Sequence, residues 1–353
     1  MNRKKLTDAL AALDWAVSTK PIVEEMGCYR INGKNLRASD GALLAQVVLD
    51  EDTGLDCTVP AAGIGKFLKD LKADAVDFKL EQGKLTVTAG KVRGSFALAA
   101  GPGVLDDLKF DVTEWTPATP ALKDAIRRAR FTSSTDATKG VYTGVLVKGD
   151  SNIATDKIRI ASFKAKAGEL SSGPVIFPAP AAELLDKRAA DVDAWAAVGG
   201  MIYLRGKGIT WGCQAPVGDF TDKVWTYVTM AEEKLTASVD LPEGLAAALR
   251  RHLDQQGNVM ELDREVTLTI AGKSVTLSST DGSRYEIVEE LDLAEAAARD
   301  VKFAIHPQCL LDILTTTRKM RYGGDAAGGV PFVAFVAEVE HGTFRYLTTV
   351  EVK

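Results

Sequence analysis

One local pattern occurs three times in this chain and constrains its fold more than any other feature. A short extended run leads into a proline and an amphipathic helix in CTVPAAGIGKFLKDLKA (57–73), VIFPAPAAELLDKRAA (175–190) and FAIHPQCLLDILTTT (303–317). The copies lie roughly 120 residues apart, and recurrence at a near-constant interval indicates repeated structural units. Proline suits the first helical turn, where its missing N–H is not needed. Equivalent helices are therefore expected to begin at Pro60, Pro178 and Pro307.

Two further features repeat together with this one. A helix with apolar residues at helical spacing opens each unit, from Leu6, Leu122 and Leu245. An alternating strand hairpin follows, and its first and third copies, YRINGKNLRASDG (29–41) and LTIAGKSVTLSSTDG (268–282), both turn at Gly-Lys and end in Asp-Gly. More alternating strands come after each proline-led helix. Each unit therefore reads helix, strands, helix, strands.

The repeats predict three domains of one topology, at 1–113, 114–231 and 232–353. Two prolines interrupt the pattern in VTEWTPATP (112–120), which places the first boundary there. Alternating strands with one buried face are typical of antiparallel sheets. The predicted class is α+β, with two helices packed on antiparallel sheet in each domain.

The composition is that of a globular protein. Hydrophobic residues make up 46% of the chain and charged residues 26%, which excludes a disordered or collagen-like chain. No apolar run approaches the ~18 residues that a membrane span requires. We therefore expect a soluble, cytoplasmic protein with no membrane partner.

The residue types give little support to an enzyme. The four cysteines lie far apart without a CxxC pair, so buried free thiols are expected, and the three histidines offer few general bases. The Asp-Gly pairs at 40–41 and 281–282 fit turns. GKGITWG (206–212) lacks the spacing of a phosphate loop. We predict no catalytic residue, no metal site and no cofactor.

The order of elements over almost the whole chain resembles the bacterial DNA polymerase III beta subunit, the beta sliding clamp. The clearest local matches are the proline-led helices and FTSSTDATKGVYTGVLV (131–147). The resemblance implies a DNA clamp fold of three clamp domains, and a homodimer joined head to tail into a six-domain ring around duplex DNA. It also implies a processivity factor of DNA replication that tethers a polymerase. The departures described below indicate a divergent clamp, and a phage-encoded protein would fit them.

A ring of this kind reconciles basic DNA-binding residues with a net charge of −5. A positive lumen attracts phosphates without reading bases, while the outer surface stays acidic. The candidate DNA-binding residues are Lys20, Lys66, Lys69, Lys123, Arg127, Arg130, Arg250 and Arg251. The alternative for each is an ordinary solvated helix face, and Asp8 and Asp14 interrupt the basic pattern on the first helix.

The resemblance also implies where two chains would meet. The edge strand RGSFALAAG (93–101) is expected to pair with the third domain of the other chain, with Phe96 and Leu98 facing that chain's Leu253. The alternative is that Phe96 and Leu98 belong to the core of their own domain.

A partner groove between the second and third domains is implied for the polymerase and the clamp loader. Its predicted walls are Tyr142, Ser162, Lys164, Ala167, Thr221, Trp225, Thr226, Leu347, Thr349 and Val350. SFKAKA (162–167) is assigned to the place of the family's Thr-Asp-Gly-His-Arg-Leu run, and LTTVEVK (347–353) to its apolar C-terminus. These polar replacements predict a groove retuned to a dedicated partner, with Trp225, in an exposed linker, and Tyr142 as aromatic anchors. The alternative is that the groove has been lost.

A second function remains open from the sequence. A clamp-fold scaffold or decoy could bind replication proteins without tracking DNA. Basic residues in all three units favour the clamp, and DNA-dependent stimulation of a polymerase would separate the two functions.

Overall fold

The computed structural model describes residues 1–99, 103–260, 263–282, 284–323 and 332–352. The α-helices of these ranges are α1 (Arg3–Leu13), α2 (Ala61–Asp70), α3 (Pro120–Ala129), α4 (Ala179–Lys187), α5 (Lys223–Lys234), α6 (Leu245–Gln255) and α7 (Pro307–Leu314). Short 3-10 turns follow α1, α3 and α6 directly.

The strands of the first half of the chain are β1 (Cys28–Asn32), β2 (Asn35–Ser39), β3 (Leu43–Val48), β4 (Asp56–Pro60), β5 (Asp77–Glu81), β6 (Lys84–Ala89), β7 (Val92–Ala97), β8 (Thr116–Pro117), β9 (Gly144–Gly149), β10 (Ser151–Thr155), β11 (Arg159–Ala165) and β12 (Ser171–Pro178). Those of the second half are β13 (Ala194–Val198), β14 (Met201–Gly206), β15 (Ile209–Gln214), β16 (Ala237–Asp240), β17 (Val266–Ala271), β18 (Ser274–Thr280), β19 (Glu286–Asp292), β20 (Val301–Ile305), β21 (Lys319–Tyr322), β22 (Phe332–Val339), β23 (Gly342–Thr349) and β24 (Glu351–Val352).

Unit 1, one of two compact units, consists of Met1–Thr119 and Glu183–Ala215. It contains an eight-stranded antiparallel sheet, in the order β4-β1-β2-β3-β15-β14-β13-β8, and a three-stranded sheet, β5-β6-β7. The larger sheet is continuous because β3 pairs with β15, where Ala45 lies opposite Trp211. Helix α1 packs against α2, β2 and β3. Its buried face is formed by Leu6, Ala9, Leu10 and Leu13.

Unit 2 consists of Pro120–Ala182 and Pro216–Lys353. Its eight-stranded antiparallel sheet has the order β12-β9-β10-β11-β23-β22-β21-β16, and a five-stranded sheet has the order β19-β18-β17-β20-β24. The larger sheet is continuous through the pairing of β11 with β23, where Ile160 lies opposite Leu347. Helix α3 packs on β10, β11 and β23, and α6 packs against α7.

Each large sheet combines strands from two successive predicted domains. In unit 1, β3 of the first predicted domain pairs with β15 of the second, and in unit 2, β11 of the second pairs with β23 of the third. Alternation along a strand reveals which side is buried, but not which strand lies beside it. The pairing therefore had to come from the structure, and the division at 113 and 231 stays a prediction.

The repeated proline-led helices are confirmed. Strand β4 ends at Pro60 and α2 follows, β12 ends at Pro178 and α4 follows, and Pro307 is the first residue of α7. The predicted hairpins are confirmed as well. Gly33 between β1 and β2 and Gly272 between β17 and β18 both have positive φ, 57° and 53°, which glycine adopts without strain.

Helix α5 is a correction to the sequence analysis, which had placed Trp225 in an exposed linker. Residues Lys223–Lys234 form a 12-residue helix. Its buried residues Val224, Val228 and Ala231 have the i, i+4, i+7 spacing of an amphipathic helix, so the signal was present in the sequence. The β-branched and aromatic residues around them weakened it, because such residues have lower helix propensity.

The large sheet of unit 2 is covered on both faces. Leu347 belongs to the cluster under α5, whereas its neighbour Tyr346 packs on Phe131, just after α3, with ring centroids 5.6 Å apart. Adjacent strand residues point to opposite faces, so the two helices lie on opposite sides of the sheet. This explains why Phe332 to Phe335 are all buried rather than alternating.

Candidate functional site

A largely apolar cavity of about 420 Å³ opens in unit 2 beside the first turns of α5. Its floor contains the buried side chains of Phe332, Leu347 and Val224. The rim contains Ile158 and Tyr227, which are 47% and 49% exposed although both are largely apolar. The remaining lining residues are Tyr142, Thr155, Lys157, Ile160, Thr221, Lys223, Thr348 and Thr349. Half-exposed apolar side chains around a concave floor are suited to binding another apolar surface.

The turn between β10 and β11 forms one wall of this cavity, and Asp156 holds it in shape. Its Oδ1 accepts hydrogen bonds from the backbone N–H groups of Ile158 (2.9 Å) and Arg159 (2.7 Å). The Arg159 guanidinium donates to Asp156 Oδ2 (2.8 Å) and to Asp312 Oδ2 on α7 (2.6 Å). Both of these carboxylates and the guanidinium are mostly buried, so the turn is fixed on its inner side. Ile158 is left pointing outward.

Lys157, at the centre of the same turn, has a backbone φ of 77°. A residue with a Cβ is disfavoured in this left-handed region by about 1 kcal/mol relative to glycine. Its backbone N–H donates to Thr155 Oγ1 (2.9 Å), and its ammonium lies 5.1 Å from the centroid of the Tyr142 ring. The side chain therefore stands at the cavity wall on a strained backbone.

Helix α5 and the segment before it form the opposite wall. Tyr227 follows Val224 by three residues and so emerges next to the buried face, over the cavity. Phe220 meets the Tyr142 ring edge to face, with centroids 5.1 Å apart. This aromatic contact fixes the position of Tyr142 at the cavity wall.

Four of the predicted groove residues line the cavity: Tyr142, Thr221, Leu347 and Thr349. The others lie elsewhere. Ser162 is buried in β11 opposite Arg345, Lys164 is exposed with its Nζ 3.9 Å from Asp150, and Ala167 is exposed in a turn. Thr226 is exposed on α5 outside the cavity, and Val350 lines a separate, more polar cleft of about 1150 Å³.

The assignment of SFKAKA to the family's Thr-Asp-Gly-His-Arg-Leu run was wrong by seven positions. The segment that lines the cavity is TDKIRI (155–160), and it shares Thr, Asp and Arg with that run. Comparing residue types at each position would have found it. The earlier assignment followed strand order alone, and it missed Lys157, Ile158 and Ile160.

Trp225 is partly buried and packs against the hydrophobic cluster under α5 rather than lining the cavity. It lies one residue after the buried Val224, which turns it about 100° away around the helix. Its replacement would therefore destabilise α5 before it affected a ligand. Tyr227 is the aromatic residue of α5 that faces the cavity.

The candidate DNA-binding residues of unit 1 are exposed. Lys20 lies in the turn region after α1, and Lys66 and Lys69 lie on α2. Lys69 Nζ is 3.8 Å from Asp14 Oδ2, and both side chains are about half exposed. An exposed pair of this kind contributes little, so it leaves the lysine available to another anion.

The candidates of unit 2 are more strongly engaged by carboxylates. Arg127 and Arg128 both donate to Oδ1 of the buried Asp124, at 2.5 and 3.0 Å. Arg251 makes a two-point contact with Glu289 of β19, at 3.0 and 2.5 Å. Arg250 is exposed, and Lys123 and Arg130 are partly buried.

Phe96, Leu98 and Leu253, the predicted interface residues, are all partly buried. Phe96 packs edge to face on Phe67 of α2, with centroids 5.4 Å apart. Its strand β7 is an edge of the three-stranded sheet, and β19 is an edge of the five-stranded sheet. Residues 100 and 101 of the predicted interface strand, and Lys353 of the predicted C-terminal segment, lie outside the described residues.

A buried Ser-His-Glu arrangement occurs at α6 but is not accessible to a substrate. His252 is fully buried, with Nδ1 2.7 Å from Ser279 Oγ and Nε2 3.7 Å from Glu289 Oε1. Burial lowers the pKa of His252, against the opposing effect of Glu289, and Arg251 lowers it further. The ring is therefore a neutral core group.

His252 should make the protein less stable in weak acid. Its pKa in the folded state lies below the ordinary value of 6.5, so the unfolded chain takes up the proton first as the pH falls. Its contribution is complete above pH 6.5 and declines as the pH falls towards the folded-state pKa. Urea unfolding at pH 7.5 and 5.5 should show a larger loss of unfolding free energy for the wild type than for His252→Gln. Equal losses would contradict a neutral buried imidazole.

The thiols and the acidic residues of the described ranges form no further site. All four cysteines are free and buried, as predicted, and burial raises the pKa of Cys28 and of Cys57 to about 11. No group of three or more His, Cys, Asp or Glu side chains in these ranges is arranged to hold a metal ion. Across the same ranges, no helix is both long and apolar enough to cross a bilayer.

The chain is similar in structure to sliding clamps over its whole length. The DNA polymerase III beta chain of Streptococcus pneumoniae superposes with a TM-score of 0.82 at 18% identity, covering 100% of this chain and 98% of that one. The beta subunit of Thermotoga maritima gives 0.79 at 14% identity, covering 99% and 98%. The DNA polymerase sliding clamp of Bacillus subtilis gives 0.77 at 16% identity, covering 100% and 98%. No family model and no curated protein sequence matches the chain.

Proposed function

We propose that this protein, whose whole chain has the fold of the bacterial polymerase III sliding clamps, is itself a divergent sliding clamp. In this role it encircles duplex DNA and tethers a replicative polymerase. The observation that carries the proposal is the match of fold from the first residues to the last, with no large part of the chain left for another function. At 14–20% identity the likeness concerns the fold, so the DNA and partner contacts rest on the residues of this chain.

DNA would be held by charge rather than by base recognition. Exposed lysines on α2 and the exposed Arg250 on α6 lie on helices, while the chain as a whole has a net charge of −5. Such side chains contact phosphates in any sequence, which a protein that slides requires. Lys20, Lys66, Lys69, Lys123, Arg127, Arg130, Arg250 and Arg251 are the proposed contacts.

Ring closure would occur between the edge strands β7 and β19 of two chains. Lys91 and Arg93 are exposed at β7, whereas Glu286, Glu290 and Asp292 are exposed on β19, so the two edges have opposite charge. Pairing them would cover two free strand edges in each chain. Because the two edges differ, the contact is heterologous, and it closes after two copies if each spans half of the ring.

The cavity beside α5 would bind a short peptide from the polymerase or from the clamp loader. It combines an apolar floor with a rim of exposed Ile158 and Tyr227, as a peptide anchor requires. Its volume of about 420 Å³ suits one or two apolar side chains.

A clamp-fold scaffold or decoy is the second candidate. The observation in its favour is that Arg127, Arg251 and Lys69 already have carboxylate neighbours, which lowers the positive charge available to DNA. Such a protein would keep the partner cavity and the ring but would not be retained on DNA.

Retention on circular DNA tests the clamp directly. Protein assembled with a nicked circular duplex should elute with the DNA at high salt and should be released when a restriction enzyme linearises it. High salt removes phosphate contacts but does not open a ring, so topological binding survives it. A Lys66→Ser/Arg250→Ser variant should lose binding to linear DNA at low salt. Equal retention on circular and linear DNA would contradict encirclement, and no retention on either would favour the scaffold.

A further inference from the structure

The charges around the α5 cavity are all of one sign. Of the residues that line it, Lys157 and Lys223 carry a charge, and the others are apolar or neutral. Both lysines are exposed, and within the described part of the chain neither forms an ion pair. The nearest acidic residue in sequence, Asp156, is already bound to Arg159 and to two backbone N–H groups. The cavity therefore presents positive charge that the protein itself does not neutralise.

The backbone at Lys157 indicates that its side chain has a function. With φ at 77°, glycine would occupy this position with less strain than lysine. The hydrogen bonds that hold the turn come from Thr155 and Asp156 and do not involve the lysine side chain. Strained residues of this kind are concentrated where a side chain acts on a ligand.

The ammonium of Lys157 is directed to the cavity wall by an aromatic ring. It lies 5.1 Å from the centroid of Tyr142, which itself lines the cavity and is fixed by Phe220. A cation over a ring keeps its remaining N–H donors available for an anion. Lys223 stands on the other wall as the first residue of α5, where the unpaired N–H groups of the helix add further positive potential.

We propose that the cavity selects a peptide in which an acidic residue lies between apolar anchors, and that Lys157 is the residue that recognises the carboxylate. The apolar side chains would occupy the floor formed by Phe332 and Leu347, and the carboxylate would lie at the mouth between Lys157 and Lys223. This inference rests on the proposed role of the cavity in binding a partner peptide. It adds the chemistry of the peptide and the residue that sets it.

The test uses two labelled synthetic peptides that differ only in charge. Each has two leucines and a phenylalanine, separated by aspartates in one peptide and by asparagines in the other. Fluorescence anisotropy with the full-length protein at low salt should show about tenfold tighter binding of the aspartate peptide, as a charged hydrogen bond gives. Lys157→Gly should reduce this preference to about twofold or less, and Lys157→Arg should retain it.

Thermal unfolding separates recognition from a structural role. Lys157→Gly removes backbone strain, so its unfolding midpoint should equal or exceed that of the wild type while the preference is lost. Gln82→Gly is the matched control, since Gln82 has a φ of 48° in the β5–β6 turn of unit 1, and it should leave peptide binding unchanged. A lower midpoint for Lys157→Gly would show that the lysine is structural.

The outcomes distinguish this inference from the function on which it rests. Equal binding of the two peptides to the wild type, or a full preference in Lys157→Gly, would overturn acidic selection while leaving the cavity as a peptide site. Binding of neither peptide would overturn the cavity as a peptide site and the inference with it. The clamp function is tested separately by retention on circular DNA.

Discussion

Phe96→Asp is expected to convert the dimer into monomers at low micromolar concentration, as measured by native mass spectrometry. Phe96 lies on the edge strand β7, and in the proposed ring it would face the α6 end of the other chain near Leu253. A carboxylate buried there without a partner costs several kcal/mol. The substitution affects both contacts of the closed ring, and each should weaken by about 100-fold or more. Retention on circular DNA should be lost with the ring.

The complementary variant makes this test specific for a head-to-tail contact. Leu253→Asp alters the other edge and should also give monomers. When the two variants are mixed, the intact β19 edge of one chain can still meet the intact β7 edge of the other, so an open dimer should form through a single contact. An isologous interface would not be restored in this way. Unchanged dimers in either variant, or a mixture that stays monomeric, would contradict the assignment.

The packing of Phe96 on Phe67 requires a folding control, because Phe96→Asp also removes a contact inside unit 1. Phe96→Leu keeps an apolar side chain at the edge and should remain dimeric. The unfolding midpoints of both variants, measured at the same concentration, separate a loss of folding from a loss of association.

Ile158→Asp is expected to abolish capture of the cognate polymerase or clamp loader while leaving the ring and its DNA retention intact. Ile158 is 47% exposed on the rim of the α5 cavity, so its replacement removes little core packing. The new carboxylate would put a charge where an apolar anchor enters, and loss of such a contact at the centre of an interface costs about 2–4 kcal/mol. Affinity in surface plasmon resonance should fall by 30-fold or more, by about that free energy.

Val198→Asp provides the matched control for this variant. Val198 is 46% exposed at the end of β13 in unit 1, and it does not line the cavity of unit 2. It should bind the partner as the wild type does. If both variants weaken binding equally, the cause is general surface charge, and if neither does, the partner binds elsewhere.

Much of the fold was predictable because its signals are local. The proline-led helices α2, α4 and α7 and the hairpins at Gly33 and Gly272 depend on the conformations of a few neighbouring residues. The apolar spacing of α1, α3 and α6 predicted their buried faces. Helix α5 was missed although its spacing was present, because an apparent domain junction was given more weight than its periodicity.

The candidate site was less predictable because it is assembled from distant segments. Tyr142, the turn at 155–160, the start of α5 and the strands β22 and β23 meet only when β11 pairs with β23. The alignment by strand order chose SFKAKA, and only the structure showed that TDKIRI occupies the cavity wall.

The sequence by itself therefore determined the three repeats, the class of fold and the types of residue available for binding, since periodicity and turn chemistry act within one element. The tertiary structure decided which strands share a sheet, that Trp225 packs on the core while Tyr227 faces the cavity, and that Arg127 and Arg251 have carboxylate partners. It also decided that Lys157 adopts a left-handed backbone at the cavity wall. These contacts join residues far apart in the chain, and their free energy depends on distances that local patterns do not specify.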